Sequence, residues 1–250
     1  MPEFTSFDGT RLHYDDKGGG APAVLLHGFA ADAVANWVQP GVVDALLDAG
    51  RRVVTLDARG HGASEKPHDP AAYEDDAMVR DVQALFDHLG LERADVVGYS
   101  MGSFVTSRLV GVDPRVRSIV LGGVGIRLAA GAASIPGLAD ALETDDPSTI
   151  ADPTAKSFRR FAERTGADRL ALAALQRAGG RHGPPDLAGV TVPALVLTGD
   201  GDTLVGSPEE LADAIPGAEV RIVEGDHLAA VLDPVFPAAI VDFLGDVDAR

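Results

Sequence analysis

The chain has 250 residues, 46% hydrophobic and 24% charged, which is an ordinary composition for a globular protein of one or two domains. Its formal net charge of −17 disfavours nucleic acid and anionic membrane surfaces, so we expect neither as a partner. The sequence contains no cysteine, which excludes disulfides and thiolate metal sites. The N-terminus has no basic-then-apolar pattern and no apolar run is long enough to span a bilayer, so we expect a cytoplasmic protein. The sequence is compatible with either a monomer or a homodimer as the oligomeric state.

The predicted strands begin with a hairpin and continue as short apolar runs. The hairpin joins residues 3–7 to residues 10–14 around the turn signal Asp8-Gly9. Six further runs are bounded by turn residues, at 23–26, 53–56, 94–97, 118–121, 194–198 and 219–223. Continuous apolar runs of this length are typical of strands that are buried on both faces of a parallel sheet.

Helical patterns alternate with these runs. We predict helices after Ser100 and at residues 42–49, 73–89, 208–215 and 235–244. Strands that alternate with helices indicate right-handed βαβ units. The predicted fold class is therefore α/β, with a mostly parallel central sheet and helices on both faces.

One long segment interrupts the alternation. About seventy residues without a strand pattern separate the run at 118–121 from the run at 194–198. Three short helical patterns lie within it, at residues 135–142, 154–164 and 168–178. Because an insertion of this length is commonly functional, we interpret residues 125–190 as a small helical cap within a single domain at 1–250. The alternative is a surface excursion that contributes to no site.

The pattern Gly98-x-Ser100-x-Gly102 stands between a predicted strand and a predicted helix. A serine held on a sharp strand-to-helix turn needs small residues two positions away on either side, and glycine provides them. The following helix directs its N-terminus toward negative charge that forms beside the serine. These features make Ser100 a candidate nucleophile, and we favour this role over that of an ordinary turn serine.

A serine hydroxyl needs a base that accepts its proton, and the chain has seven histidines. His27, His61 and His227 follow predicted strands, and the carboxyl ends of parallel strands share one edge of a sheet. The base in turn needs an acid that orients it. Asp200 and Asp202 both follow the predicted strand at 194–198 and are the candidates.

From end to end the chain resembles the α/β-hydrolase fold superfamily, in particular serine esterases with a small helical cap. Five motifs in the family's order carry this resemblance: Leu25-Leu26-His27-Gly28-Phe29, Asp57-x-Arg59-Gly60-His61-Gly62-x-Ser64, Gly98-Tyr99-Ser100-Met101-Gly102, Gly199-x-x-Asp202 and Gly225-Asp226-His227. The resemblance implies that Ser100 is the nucleophile, Asp202 the acid and His227 the base. Asp200 stays open as the alternative acid.

The same resemblance implies roles for backbone and loop residues. The N–H groups of Phe29 and Met101 are expected to form the oxyanion hole, and His27 and His61 to be structural. The implied reaction is two-step acyl transfer on a small-molecule carboxylic ester or lactone, without a metal or an organic cofactor.

Other reactions and roles stay open on the same residues. Carbon–carbon bond hydrolysis next to a ketone and cofactor-free perhydrolysis use the same triad. Carbon–carbon hydrolases of this family often carry Trp after the last histidine, so Leu228 disfavours them. A non-catalytic protein that binds a small ligand, or one that docks a partner, is the alternative from another class.

Substrate contacts are expected from side chains near the motifs and from the predicted cap: Phe29, Trp37, Tyr99, Phe158, Phe161, Val205 and Leu228. Aromatic residues serve more often as packing residues than as ligand contacts. The two cap phenylalanines also have helical spacing, which fits the cap's own core equally well.

Overall fold

The computed structural model describes residues 2–131, 135–179 and 184–250. Its strands are β1 (Glu3–Thr5), β2 (Arg11–Gly18), β3 (Pro22–Leu26), β4 (Arg52–Leu56), β5 (Ala94–Tyr99), β6 (Val116–Gly122), β7 (Ala194–Gly199) and β8 (Glu219–Val223). They form one sheet in the order β1-β2-β4-β3-β5-β6-β7-β8. β2 pairs antiparallel with β1 and β4, and all other neighbours pair in parallel. The predicted α/β class is confirmed.

Helices follow most of the parallel strands. They are α1 (Val42–Asp48), α2 (Ala77–Leu89), α3 (Met101–Val112), α4 (Leu138–Glu143), α5 (Pro153–Thr165), α6 (Arg169–Ala178), α7 (Pro208–Asp213) and α8 (Val235–Asp248). None of these described helices is long and apolar enough to cross a membrane.

Two apolar cores lie on opposite faces of the sheet. β3 shows the alternation, because Val24 and Leu26 pack with α2, α3 and α7, whereas Ala23 and Leu25 pack with α1 and α8. Successive side chains of a strand point to opposite faces, so burial on both faces requires an unbroken apolar run. This arrangement explains the continuous apolar runs of the sequence.

The start of α2 differs from the sequence prediction. The predicted helix begins at residue 73, whereas α2 begins at Ala77. Pro70–Tyr73 forms a separate 3-10 turn, and Asp75 and Asp76 then adopt left-handed backbone with φ of 52° and 55°. A right-handed helix cannot pass through left-handed residues, so the two segments cannot join.

Three helices, α4 to α6, lie between β6 and β7, and we call them the inserted helices. Their apolar side chains pack together and against Phe29 and Ala30, which follow β3. The Thr165 hydroxyl at the end of α5 also donates to the Ala30 carbonyl at 2.8 Å. The inserted helices therefore lie against the loop after β3, at the carboxyl edge of the sheet.

Candidate active site

Ser100 occupies the turn between β5 and α3. Its backbone angles are φ 50° and ψ −110°, which are unfavourable for a residue with a side chain. The Ser100 N–H donates to the Gly122 carbonyl at 2.8 Å, and the Ser100 carbonyl accepts from Ser103 N–H at 2.9 Å. Hydrogen bonds to the neighbouring strand and to the first turn of the helix thus hold the strained residue in place.

The glycines on either side of Ser100 are required by close backbone contacts. A Cβ atom on Gly98 would overlap the Gly102 carbonyl oxygen, and one on Gly102 would overlap the Leu26 carbonyl oxygen. Any larger residue at either position would force β3, β5 and α3 apart. The structure therefore contains the close backbone contacts that explain why glycine stands two positions before and two positions after Ser100.

The side chains of Ser100, His227 and Asp202 form a continuous hydrogen-bonded row. Ser100 Oγ lies 2.9 Å from His227 Nε2, and His227 Nδ1 lies 2.7 Å from Asp202 Oδ2. His227 is 7% exposed and Asp202 is 9% exposed. Because an ionised carboxylate only accepts hydrogen bonds, Nδ1 carries the ring proton and Nε2 accepts the serine hydroxyl hydrogen. The row can therefore move a proton from the serine to the imidazole.

Asp200, the alternative acid, faces away from the histidine. Its Oδ1 accepts from the Gly225 N–H at 3.0 Å, so it ties the turn after β7 to the loop after β8. The second oxygen of Asp202 accepts from the Leu204 N–H at 3.1 Å, which fixes the carboxylate plane. The geometry therefore places Asp202 and not Asp200 beside the histidine.

Tyr99 holds the loop after β8, which carries His227, in place. Its hydroxyl donates to the His227 carbonyl at 2.7 Å, and its ring packs edge-on against Phe236 at 5.8 Å. Burial raises the pKa of the Tyr99 phenol, so the hydroxyl keeps the proton that it donates. The sequence predicts Tyr99 as a substrate contact and does not reveal this supporting role, because the partner lies 128 positions away.

The two residues expected to supply the oxyanion N–H groups lie at the same cavity as Ser100. Phe29 and Met101 both line this cavity, and within the described ranges neither N–H group donates to a protein acceptor. Asn36 Oδ1 accepts from the neighbouring Gly28 N–H at 2.8 Å and anchors the loop that carries Phe29. Met101 is the first residue of α3, where the helix leaves N–H groups unpaired.

Two cavities meet at this row of side chains. The first has a volume of about 150 Å³ and is lined by Ser100 and by mostly apolar side chains of α2, α3 and the inserted helices. The second has a volume of about 260 Å³ and is lined by His227 and by polar side chains, including Thr154 and Ser157. Phe158 of α5 lines both cavities and stands between them.

Three of the seven predicted substrate contacts line a cavity: Phe29, Phe158 and Leu228. Trp37 is 0% exposed and packs in the core beside α1 and α8. Phe161 packs among the inserted helices, and Val205 is buried beside the backbone of Arg127. Trp37, Tyr99, Phe161 and Val205 line neither of these two cavities, so we withdraw their assignment to substrate contact.

His27 and His61 are buried beside the site and do not contact Ser100. The Ala58 N–H donates to His27 Nε2 at 3.0 Å, so His27 Nδ1 donates to the Gly28 carbonyl at 2.8 Å. Burial lowers the pKa of His27, and it lowers the pKa of His61 to about 3. Both rings are therefore uncharged near neutral pH and shape the loop after β3, as the sequence resemblance implies.

Across 2–131, 135–179 and 184–250, no group of three His, Asp or Glu side chains is arranged to hold a metal ion.

Comparison with known proteins identifies relatives along the whole chain. The sequence profile of the alpha/beta hydrolase fold matches residues 22–147. A non-heme chloroperoxidase of Kitasatospora aureofaciens is 30% identical over 264 residues, which cover 94% of this chain and 94% of that protein. The crystal structure of the enol-lactonase of Burkholderia xenovorans LB400 superposes with a TM-score of 0.74, 28% identity, and coverage of 98% of this chain and 100% of that one.

A longer relative contains a similar region. The dihydrolipoyllysine-residue acetyltransferase component of the acetoin cleaving system of Pseudomonas putida is 30% identical over 247 residues. The match covers 91% of this chain but 64% of that protein, so the chain spans less than two thirds of this relative.

Proposed function

The chain belongs to the α/β-hydrolase fold family, and on this premise we propose that it is a serine hydrolase that cleaves carboxylic esters or lactones. The observation that carries the proposal is the row from Ser100 Oγ through the His227 ring to Asp202, with contacts of 2.9 and 2.7 Å. The fold alone hosts many activities, so the assignment depends on this geometry. A strained serine, an oriented base and two N–H donors together are suited to acyl transfer.

The first step is attack of Ser100 Oγ on the substrate carbonyl carbon. His227 Nε2 accepts the hydroxyl proton as the new C–O bond forms. The Asp202 carboxylate stabilises the resulting imidazolium and keeps the ring in the orientation that the 2.7 Å contact records. The positive charge that forms on His227 therefore lies next to the negative charge of Asp202 and does not depend on solvent for stabilisation.

The negative charge on the substrate oxygen is the second requirement. The Phe29 and Met101 N–H groups are the donors that we assign to it. Donors that are already in place when charge forms contribute roughly 3 kcal/mol each to transition-state stability. The N-terminus of α3 adds a favourable dipole at the same position.

The two cavities receive different parts of the substrate in this mechanism. The acyl group stays bonded to Ser100, so the cavity beside Ser100, Phe29 and Met101 is the acyl chamber. His227 Nε2 returns its proton to the departing alcohol oxygen, so the cavity beside His227 is the leaving-group chamber. Water then attacks the acyl carbon and gives a proton to His227. His227 passes this proton to Ser100 Oγ as the bond between Oγ and the acyl carbon breaks, so the carboxylic acid leaves and the Ser100 hydroxyl is restored.

The linings of the chambers indicate the preferred chemistry of each part. The acyl chamber presents mainly apolar side chains and favours an apolar acyl group. The leaving-group chamber presents Thr154, Ser157, Thr203 and the carboxylate of Asp226. We therefore expect a hydroxylated, uncharged or cationic leaving group rather than an anionic one.

The inserted helices act as the cap in this proposal. The Phe158 ring of α5 lies 6.0 Å from the Phe29 ring and 6.3 Å from the His227 ring, measured between centroids. A single side chain of the insertion thus touches both chambers and both sides of the reacting centre. This contact supports assigning residues 125–190 to substrate enclosure.

A second candidate reaction is perhydrolysis, favoured by the 30% identity to a non-heme chloroperoxidase. Hydrogen peroxide would replace water in the second step, attack the acyl-enzyme and leave as a peracid while Ser100 regains its proton. Peracid formed from p-nitrophenyl acetate and hydrogen peroxide can be detected by bromide oxidation. Loss of both this signal and hydrolysis in Ser100→Ala would show that the two reactions share one acyl-enzyme.

The test of the proposed function is hydrolysis of p-nitrophenyl esters, acetate through octanoate, and of five- and six-membered lactones. We expect turnover by the native chain and its loss in Ser100→Ala. Equal inactivity of both proteins, together with equal and saturable binding of the same compounds by calorimetry, would contradict catalysis and favour a non-catalytic binding protein.

A further inference from the structure

One face of α3 forms a wall of the acyl chamber. Met101, Phe104, Val105 and Arg108 all line the chamber. Their spacing of three, four and seven residues puts them in a row along the helix. The first three are apolar and the last is a cation, about 12 Å along the helix axis from Ser100 at 1.5 Å per residue. The wall therefore changes from apolar to charged at its end remote from the serine.

Arg108 is held at this end by Asp76, the residue that precedes α2. Arg108 Nε and Nη2 donate to Asp76 Oδ1 and Oδ2 at 2.5 and 2.7 Å. Two parallel bonds of this kind fix a guanidinium group relative to a carboxylate more firmly than one bond does. The side chains are 26% and 36% exposed, so the pair lies between the chamber and solvent.

The backbone around Asp76 is strained to reach this position. Asp75 and Asp76 are consecutive non-glycine residues in left-handed conformation, with φ of 52° and 55°. Asp76 is also the N-cap of α2, yet its side chain makes no capping hydrogen bond. An aspartate at this position ordinarily accepts from the first N–H groups of the helix. Here the turn fixes the carboxylate beside Arg108 at the expense of helix capping.

We propose that the Arg108–Asp76 ion pair is the end wall of the acyl chamber and sets the longest acyl group that the site accepts. The inference rests on the proposed esterase function and narrows its substrates to short and medium apolar acyl groups. An apolar chain that reaches the pair removes water from two charges without replacing their hydration, or pushes them apart. Each methylene before that point gains favourable burial instead.

The experiment compares kcat/KM for straight-chain p-nitrophenyl esters, acetate through dodecanoate, in the native chain and Arg108→Ala. We expect the native profile to fall sharply beyond one chain length. In the variant, the ratio of kcat/KM for an ester two methylenes beyond that length to kcat/KM for butanoate should rise about tenfold or more. Burial of one methylene favours binding by roughly fourfold, which sets this scale.

The double variant Asp76→Asn/Arg108→Ala tests the same inference if Arg108→Ala alone is too unstable to assay. Arg108→Ala removes the cation that donates two hydrogen bonds to the Asp76 carboxylate, and the loss of that cation is destabilising in a partly buried site. Asp76→Asn/Arg108→Ala removes both charges, and asparagine tolerates left-handed backbone. The double variant should show the same shift toward longer acyl chains.

Arg52→Ala is the matched control. Arg52 Nε and Nη2 donate to Asp16 at 2.9 and 2.7 Å, and the side chains are 28% and 27% exposed. This pair joins β4 to β2 and lines neither chamber. The control should lose a comparable ion pair and keep the native chain-length profile.

Two outcomes of the kinetic test would contradict the inference that the Arg108–Asp76 pair limits the length of the acyl group. A ratio within twofold of the native value in both variants would show that the pair does not limit chain length. An equal rise for all esters, acetate included, would make the pair an entrance rather than an end wall.

Binding of straight-chain carboxylic acids, acetate through dodecanoate, separates this inference from the proposed function. Calorimetry should show the same length limit in the native chain and the same extension in the variants. If neither an ester nor a lactone is hydrolysed, the proposed function fails, while a binding limit that shifts to longer acids in the variants still supports the end wall. An unchanged binding limit contradicts the end wall whatever the hydrolysis result.

Discussion

Among the residues that the structure describes, one group of serine, histidine and aspartate lies around Ser100 and another lies around Ser64. In the second group, His13 Nδ1 lies 3.2 Å from Asp57 Oδ2. Ser64 Oγ accepts from the His13 N–H at 2.9 Å and donates to the Asp57 carbonyl at 2.5 Å. All three residues of this group are buried. The two groups therefore have the same residue types. Their histidines and aspartates are similarly buried, whereas Ser64 is 2% exposed and Ser100 is half-buried.

The groups differ in the destination of the serine hydroxyl hydrogen. Ser100 Oγ faces an imidazole nitrogen and a cavity, whereas Ser64 Oγ is committed to a backbone carbonyl and lines neither chamber. His13 Nε2 has no hydrogen-bond partner among the described residues. A serine that bonds to a carbonyl has no base to accept its proton, so the Ser64 group holds a loop to β2. Hydrogen-bond direction and access to a cavity, and not residue types alone, therefore distinguish the group around Ser100 from the group around Ser64.

Serine substitution gives the largest expected contrast. Ser100→Ala should lower kcat/KM for p-nitrophenyl butanoate by about 10⁴-fold or more, because the nucleophile is lost. Ser64→Ala should keep activity within a few-fold, but lower the unfolding free energy by about 1–3 kcal/mol, because buried backbone groups lose their partner. Ester kinetics and urea denaturation measure the two effects. A Ser64→Ala protein that folds normally but is as inactive as Ser100→Ala would contradict the assignment of Ser64 to a structural role.

Aspartate substitution tests the orientation of the base. Asp202→Asn should lower kcat by about 10⁴-fold, because an amide can donate to His227 Nδ1 and stabilise the wrong tautomer. Asp200→Asn is the control, since Asp200 bonds to the Gly225 N–H and not to the histidine. Its kcat should stay within a few-fold of the native value. The reverse order of effects would assign the acid to Asp200.

A buried uncharged histidine is expected to make stability depend on pH. Burial lowers the pKa of His61 to about 3, below the ordinary value of about 6.5 in the unfolded chain. Between these values the unfolded state binds the extra proton, so the stabilisation is present above about pH 6.5 and is lost as pH falls. One such group changes the unfolding free energy by about 1.4 kcal/mol per pH unit.

Urea denaturation at pH 7, 6, 5 and 4 measures this effect. His61→Gln should show a smaller loss of stability per pH unit than the native chain. Ser64→Ala serves as a destabilised control that removes no histidine, and it should keep the native slope. Identical slopes for the native chain and His61→Gln would show that His61 is not held uncharged.

Support of the histidine loop gives the smallest expected effect. Tyr99→Phe removes the hydrogen bond to the His227 carbonyl and should cost about 1 kcal/mol of stability. We expect kcat to fall several-fold with KM nearly unchanged, because the base is less well positioned while the chambers keep their lining. Tyr14→Phe, which loses an exposed bond to His88, should leave kcat unchanged. A large change in KM for Tyr99→Phe would instead indicate substrate contact.

Much of the fold follows from local sequence. The strands can be predicted from the sequence because helices cover both faces of the sheet. Burial on both faces demands apolar residues at consecutive positions, such as those of β3 and β7. The motif around Ser100 can be recognised in the sequence because the turn requires glycine at two fixed positions. The family resemblance implies Asp202 as the acid and leaves Asp200 as the alternative, and the structure places the Asp202 carboxylate beside the histidine.

Other features depend on contacts between distant segments. Arg108 and Asp76 are 32 positions apart, and neither belongs to a motif. Trp37 is predicted as a substrate contact, but its side chain packs in the core beside α1 and α8. The start of α2 is missed because apolar periodicity does not reveal the left-handed backbone of Asp75 and Asp76. Tertiary packing settles each of these positions.

The most direct measurement is the site of covalent labelling by an organophosphorus fluoride, read by intact-protein and peptide mass spectrometry. Such reagents react with a serine only when a base removes its proton and donors stabilise the oxyanion. We expect one adduct per chain, located on Ser100 and absent from Ser100→Ala, with Ser64 unlabelled. The absence of an adduct, or an adduct on another serine with Ser100 unmodified, would contradict the assignment of Ser100 as an activated nucleophile.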